Sequence, residues 1–270
     1  MYWRLHVMPC FIVSIFTAFA VGSAQQGCVA ARTAPALDHA ILAVGDLDGA
    51  AAGFSTAGFR LKPGRLHASG LLNRHIKFRD GTSIELMTVR GEPGDSLAAD
   101  YAQLLATSTS PGVYVGLSIA DLDATAPATR RLGLAVQHRR SGSMRFVSFP
   151  AWSPAAAVFF GSPGLPVGDP DSVVTHAMAV TGLAEAWVEG GGVLGELLAT
   201  LGAAACGTAR APDGRTGERW SLARGHIVVV AAPSETRPRV LGVVLRGEPG
   251  RAAIVTPYPG FWIRVESDPR

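Results

Sequence analysis

The sequence predicts an α+β fold in which βαβββ units repeat and pair into curved, mostly antiparallel sheets with helices outside. Two observations predict it. An alternating strand, an Asp-Leu-Asp turn and a helix occur twice along the chain, and further strand-like runs follow each copy. One such unit cannot bury the apolar face of its own sheet, so the units must pair. The 270-residue chain is 48% hydrophobic, which is enough to offset the entropy of ordering and excludes a mainly disordered protein.

The repeat lies in residues 37–59 and 112–134, with a constant offset of 75 positions. Asp46 and Asp121 hold equivalent positions, where an aspartate can cap the first turn of a helix, and each predicted helix ends at a glycine. Because Pro127 is tolerated only in a first turn, we expect the second helix to begin a few residues late.

The remaining elements follow in the same order in each unit. The strands that complete the first two units are predicted at residues 61–67, 73–78, 83–89, 135–138, 145–149 and 155–160, and an extra helix at Ser96–Thr107. A third, looser unit has strands at 174–188, 203–209, 217–222 and 226–231 and a helix at 193–201. A fourth unit keeps strands at 240–246 and 254–265 and lacks room for its helix.

The N-terminus is typical of a secretory signal peptide. A basic start, an apolar run over residues 7–22 and small residues before Gln25 predict a leader at 1–24, followed by a linker at 25–36. The run is shorter than the roughly 20 apolar residues of a membrane span, so no stable span is expected after cleavage. We therefore expect export. The alternative is a wrongly assigned start on a cytoplasmic protein.

Beyond the linker, residues 37–161 are expected to hold units one and two, and residues 172–270 the third unit with the truncated fourth. The net charge is only +3 and no block of like charge occurs, which disfavours a nucleic-acid partner. Cys28 and Cys206 would remain in the mature chain and could form one disulfide, although spacing alone does not show that they meet.

The segment LDHAILAVGDLDGAAAGF, followed by NRHIKFRDGTSIELMTV, resembles the glyoxalase-like branch of the vicinal oxygen chelate superfamily. The likeness is strongest over Leu37–Val89, fair through Phe160 and weaker from His176. It implies a cavity between paired units, with metal ligands, where present, on the first and last strands of each unit. The family includes glyoxalases, isomerases, epimerases and ring-opening dioxygenases, and also metal-free proteins that sequester drugs.

Strand alternation identifies the candidate site. It places His39 on the face opposite Ala40 and Leu42, and Glu85 on the face opposite its apolar neighbours, so both are expected to project into one hollow. An imidazole and a carboxylate suit a divalent first-row metal, and Glu85 is also a candidate for moving a proton. A catalytic metal generally needs a third protein ligand, for which His176 or Tyr114 is the candidate.

Other residues complete the predicted site. His67, Asn73 and His75, on strands two and three, are candidate substrate contacts. Tyr114, a candidate part of an apolar wall, is a further candidate substrate contact. In the alternative interpretation, His39 and Glu85 form a hydrogen-bonded polar pair and bind no metal.

Other motifs do not indicate a different enzyme class. Residues 190–195 contain the GxGxxG pattern of dinucleotide binding, but the series of βα units that should accompany it is absent. The sequence also contains no GxSxG, HExxH or phosphate-loop motif.

Two functions follow. One is an exported protein that binds a small organic molecule and transforms it by metal-dependent lyase, isomerase or dioxygenase chemistry. The other is a non-catalytic binding or sequestering protein on the same fold, and a metal-free acid–base enzyme also remains open. Because the fourth unit is truncated, completion of paired units across a homodimer is a further expectation.

Overall fold

The computed structural model describes residues 28–108, 110–141, 144–163, 168–233, 236–250 and 252–267. The predicted signal peptide and the start of the predicted linker lie outside these residues. Within them, no helix has the length and apolar character that crossing a membrane requires.

The first half contains eight strands: β1 (Ala36–Ala43), β2 (Lys62–Leu66), β3 (Leu71–Lys77), β4 (Ser83–Val89), β5 (Gly112–Ser118), β6 (Gln137–Ser141), β7 (Met144–Ser148) and β8 (Val158–Gly161). Its helices are α1 (Leu47–Thr56), α2 (Ser96–Thr107) and α3 (Thr125–Arg131). The second half contains α4 (Asp171–Val174), β9 (Val180–Gly190), α5 (Gly192–Thr200), β10 (Ala204–Arg210), β11 (Thr216–Ser221), β12 (His226–Ala231), β13 (Val240–Gly247), β14 (Ala253–Tyr258) and β15 (Phe261–Ser267).

The strands form two sheets, each built from two units. The first sheet has the order β2-β3-β4-β1-β5-β8-β7-β6, and the second has the order β10-β11-β12-β9-β13-β15-β14. Each unit pairs its first strand in parallel with its last, and the units join through the antiparallel pairs β1–β5 and β9–β13. The predicted α+β fold of paired units, mostly antiparallel, is confirmed.

The repeated aspartates begin the helices as expected. Asp46 accepts a hydrogen bond from the Gly49 N–H at 2.9 Å and caps α1. Asp121 caps a single 3-10 turn by accepting from the Asp123 N–H at 3.0 Å, and α3 starts only at Thr125. The late start agrees with the constraint that proline imposes inside a helix.

One core lies between the two sheets and includes residues of both. Leu42 and Leu86 contribute from the first sheet, Leu183 and Val243 from the second, and all four are fully buried. Helix α1 packs on this core and also against β14.

Polar groups also join the two sheets. Asp80, in the turn between β3 and β4, pairs with Arg246 of β13. Thr82 Oγ1 accepts a hydrogen bond from the buried N–H of Leu183 at 2.8 Å. Because a buried N–H without a partner is destabilising, this hydrogen bond from Leu183 to Thr82 stabilises the contact between the two sheets.

A disulfide connects Cys28 to Cys206 of β10, with the two Cα atoms 5.4 Å apart. The segment that precedes β1 is thereby fastened to the second sheet. The sequence left this pairing open, and the structure forms it.

Helix α2 covers part of the first sheet on the side turned away from the shared core, which we call the outer face. Tyr101 and Leu104 of α2 pack there against Ile41 of β1 and Met87 of β4. The sequence predicted the bounds of α2 correctly but not this position. The candidate site lies on the same outer face.

Candidate functional site

The structure brings His39 and Glu85 together on the outer face. Strands β1 and β4 are parallel neighbours, with Ile41 in register with Glu85. The His39 Nε2 atom lies 3.8 Å from Glu85 Oε2. Their apolar strand neighbours point into the shared core, as strand alternation requires.

Strand β3 adds two more side chains to this pair. His75 lies opposite Glu85 in the antiparallel ladder, and its Nε2 atom is 3.7 Å from Glu85 Oε1. The Asn73 amide donates a hydrogen bond to the same oxygen at 2.7 Å and is itself oriented by the Arg65 N–H. We call His39, Asn73, His75 and Glu85 the Glu85 cluster. Its carboxylate is buried and lies between two imidazoles, one at each oxygen.

The two imidazoles differ in their protonation. Burial acts to lower the pKa of His39, but the hydrogen bond and charge of Asp38, with the charge of Glu85, outweigh it and raise the pKa above its usual value. Burial lowers the pKa of His75, and the charge of Glu85 only partly opposes this effect. The two pKa shifts are opposite, so His39 keeps its proton to a higher pH than His75 does.

Aromatic rings form a wall beside the cluster. The Phe159 ring lies 5.4 Å from the His39 ring in an edge-on arrangement, and the Tyr114 ring lies 6.2 Å beyond it. Gly116 of β5 lies beneath both His39 and Phe159. An added Cβ there would be 2.6 Å from His39 Cε1 and 2.8 Å from Phe159 Cζ. The absence of a side chain at Gly116 therefore allows both rings to lie over the sheet.

An arginine from the second sheet completes this wall. Arg237, in the loop between β12 and β13, donates a hydrogen bond from Nη2 to the Tyr114 hydroxyl at 2.6 Å. Its guanidinium carbon lies 5.3 Å from the centre of the Tyr114 ring, which is the range of a cation–π contact. No pattern within the sequence indicates that a loop of the fourth unit contacts Tyr114.

His176 does not belong to the Glu85 cluster, which corrects its assignment as a third metal ligand. Its Nδ1 accepts from the Arg60 N–H at 3.0 Å, and its Nε2 lies 2.8 Å from the Lys77 carbonyl oxygen. The ring also lies edge-on to Phe59 and Phe78. Both ring nitrogens are thus used by the backbone, so His176 joins segments of the fold.

His67 also lies elsewhere than expected. It follows β2 in the turn to β3, where its backbone N–H donates to the Leu71 carbonyl at 2.7 Å. The sequence had placed it on strand two. Its role as a substrate contact stays a prediction.

The residues present do not fit the metal site that the family implies. In the second unit, the strand positions that correspond to His39 and Glu85 carry Tyr114 and the phenylalanines of β8. The Nε2 atoms of His39 and His75 lie 3.8 and 3.7 Å from different oxygens of the Glu85 carboxylate. Within the described ranges, no group of three or more His, Cys, Asp or Glu side chains is arranged to hold a metal ion.

The second sheet carries a buried carboxylate of its own. Glu185 of β9 lies 2.7 Å from Arg219 Nε and accepts a hydrogen bond from the Trp187 indole at 2.6 Å. Burial raises the pKa of Glu185, and the charge of Arg219 opposes that shift. Glu185 is paired with an arginine, whereas the Glu85 cluster contains a buried nitrogen, His75 Nδ1, with no partner among the described residues. The Glu85 cluster is therefore the better candidate for a ligand.

Comparison with known families identifies the first half of the chain. Residues 37–149 match the model of a glyoxalase-like domain. These residues form a glyoxalase-like domain of the vicinal oxygen chelate superfamily. The match includes the whole Glu85 cluster and Tyr114.

Solved structures share the fold of this chain. A hypothetical protein from Staphylococcus aureus superposes with a TM-score of 0.59 at 13% sequence identity, covering 86% of this chain and 99% of that chain. A catechol 2,3-dioxygenase superposes with a TM-score of 0.56 at 12% identity, covering 88% and 90%. At these identities the likeness shows the fold alone. A comparison with curated proteins found no match.

Proposed function

We propose that the outer face of the glyoxalase-like domain binds a small organic molecule at the Glu85 cluster, without a metal. The observation that carries the proposal is the Glu85 carboxylate between two imidazoles, beside a wall of aromatic rings. The carboxylate has acceptor capacity beyond its hydrogen bond with Asn73, which suits a ligand hydroxyl. The rings of Phe159 and Tyr114 suit an apolar or aromatic part of the same molecule.

One polar atom of the cluster supports a ligand directly. The Nδ1 atom of His75 is buried and has no hydrogen-bond partner among the described residues. Native proteins seldom leave such an atom unpaired, because burial removes its hydrogen bonds to water. A ligand oxygen at this nitrogen would supply the missing partner.

2-Hydroxyacetophenone tests the proposal because it combines an aromatic ring with a hydroxyl next to a carbonyl. Ligand-observed NMR should detect its binding to the wild-type protein, and Glu85→Gln should weaken the affinity at least about tenfold because a hydrogen bond to a charged group is lost. The matched control is Glu196→Gln, which removes an exposed carboxylate of α5 and should leave the affinity unchanged. Equal affinities for the wild type and E85Q would contradict the proposal.

A second candidate function is proton transfer at a carbon next to a carbonyl. It is favoured by the opposite pKa shifts of His39 and His75 around one carboxylate. In this reaction Glu85 takes the proton from carbon, and the His39 imidazolium gives a proton to the carbonyl oxygen, which yields the enediol. Loss of the CH2 signal of 2-hydroxyacetophenone in D2O, faster with the wild type than with E85Q, would distinguish catalysis from binding alone.

Export is also part of the proposal. The Cys28–Cys206 disulfide supports it, because structural disulfides persist chiefly in oxidising compartments.

A further inference from the structure

Arg237 lies in the loop between β12 and β13 of the second sheet and contacts Tyr114 of the first sheet. Close packing between the two sheets fixes its position. Shortly after Arg237 the chain enters β13 at Val240, whose carbonyl oxygen lies against Gly112 of β5. A side chain at Gly112 would collide with that oxygen. The contact between the two strands holds the loop beside Tyr114.

The guanidinium of Arg237 has few partners for a half-buried cation. It donates to the Tyr114 hydroxyl and lies over the Tyr114 ring, but its Nε atom is buried and unpaired within the described part of the chain. No carboxylate of those residues forms an ion pair with it. By contrast, Arg215 and Arg239 both pair with Glu189. A guanidinium that is partly removed from water without an anion is destabilising, so an anionic partner would be favourable.

A series of ring contacts connects Arg237 with Glu85. From Arg237 the order is Tyr114, then Phe159, then the His39 ring that contacts Glu85. Tyr101 of α2 packs edge-on to Tyr114 at 5.9 Å. A ligand lying along these rings could reach both polar ends.

We propose that Arg237 binds a carboxylate of the ligand whose hydroxyl is held by Glu85. This inference rests on the proposed function and narrows the ligand to a hydroxylated organic acid, with an aromatic or apolar part between its two polar groups. The guanidinium offers donors in a planar fork that matches the two oxygens of a carboxylate. Arg237 is thus a specificity residue supplied by the second sheet to a site on the first.

The test compares two compounds that differ only in charge. These are 2-hydroxyacetophenone and its para-carboxylate, 4-(2-hydroxyacetyl)benzoate. In the wild-type protein the carboxylate should bind at least about tenfold more tightly than the neutral compound, as expected for a charged hydrogen-bonded pair. Arg237→Gln should abolish this gain, so that the two compounds bind to the variant with affinities equal to within about twofold.

The matched control is Arg130→Gln, which removes an exposed arginine of α3. It should keep the full gain, and equal loss in R130Q and R237Q would overturn the inference by showing a general charge effect. If the neutral compound binds but the carboxylate adds no affinity, or if the gain survives in R237Q, Arg237 is not the anion site. If neither compound binds to the wild type, the inference is overturned together with the proposed function.

Discussion

Removal of the disulfide by the double substitution Cys28→Ser and Cys206→Ser is expected to lower the free energy of unfolding by about 3–5 kcal/mol. The bond joins residues 178 positions apart, so it closes a very long loop in the unfolded chain. In the chain-entropy account, a longer loop restricts the unfolded state more strongly, and removal of a native disulfide destabilises by about 2–5 kcal/mol. Urea unfolding of the oxidised wild type and the double variant measures the difference.

Two controls define this result. Reduction of the wild type should reproduce the loss, and a reducing agent should leave the double variant unchanged. The fold outside residues 28–35 should persist, because the core between the sheets does not include either cysteine. A difference below about 1 kcal/mol would show that the unfolded chain is not restricted by this loop.

Substitution of Gly116 by alanine is expected to weaken ligand binding by about 10- to 100-fold. The reason is that the added methyl group would overpack the rings of the site, which costs about 1–3 kcal/mol. The new methyl group would meet both His39 and Phe159 within 3 Å. Displacement of the His39 ring would separate it from Glu85 and disturb the aromatic wall. Titration of the variant with 2-hydroxyacetophenone measures the effect.

Gly168→Ala is the matched control, since no heavy atom lies within 4 Å of a Cβ built at that exposed position. It should bind 2-hydroxyacetophenone like the wild type. Near-UV circular dichroism should show that G116A keeps its tertiary structure. Unchanged binding by a folded G116A would mean that the His39 ring takes no part in the site.

The local pattern of the sequence predicted which faces of β1 and β4 their residues occupy. The alternation around His39 and Glu85 is local, and it holds in the structure. The same reasoning could not place His176, because alternation says nothing about how the third unit packs against the first. Its ring nitrogens instead bond to the backbone at Arg60 and Lys77.

Long-range packing accounts for what the sequence did not predict. Helix α2 had a clear helical pattern, but its position on the outer face depends on contacts of Tyr101 with distant strands. Arg237 lies 123 positions from Tyr114 along the chain, and nothing local to either residue indicates their contact. Gly116 could be found only once the neighbouring rings were placed above it.

The most direct test of the account follows the histidines during ligand binding. In protein labelled with 15N-histidine, addition of 2-hydroxyacetophenone should shift the ring signals of His39 and His75, which flank Glu85. The ring signals of His176, bonded to the backbone, and of His226, beside Arg219 on the second sheet, should stay in place. Shifts confined to His176 or His226, or no shift at His39 and His75, would contradict a ligand site built around the Glu85 carboxylate.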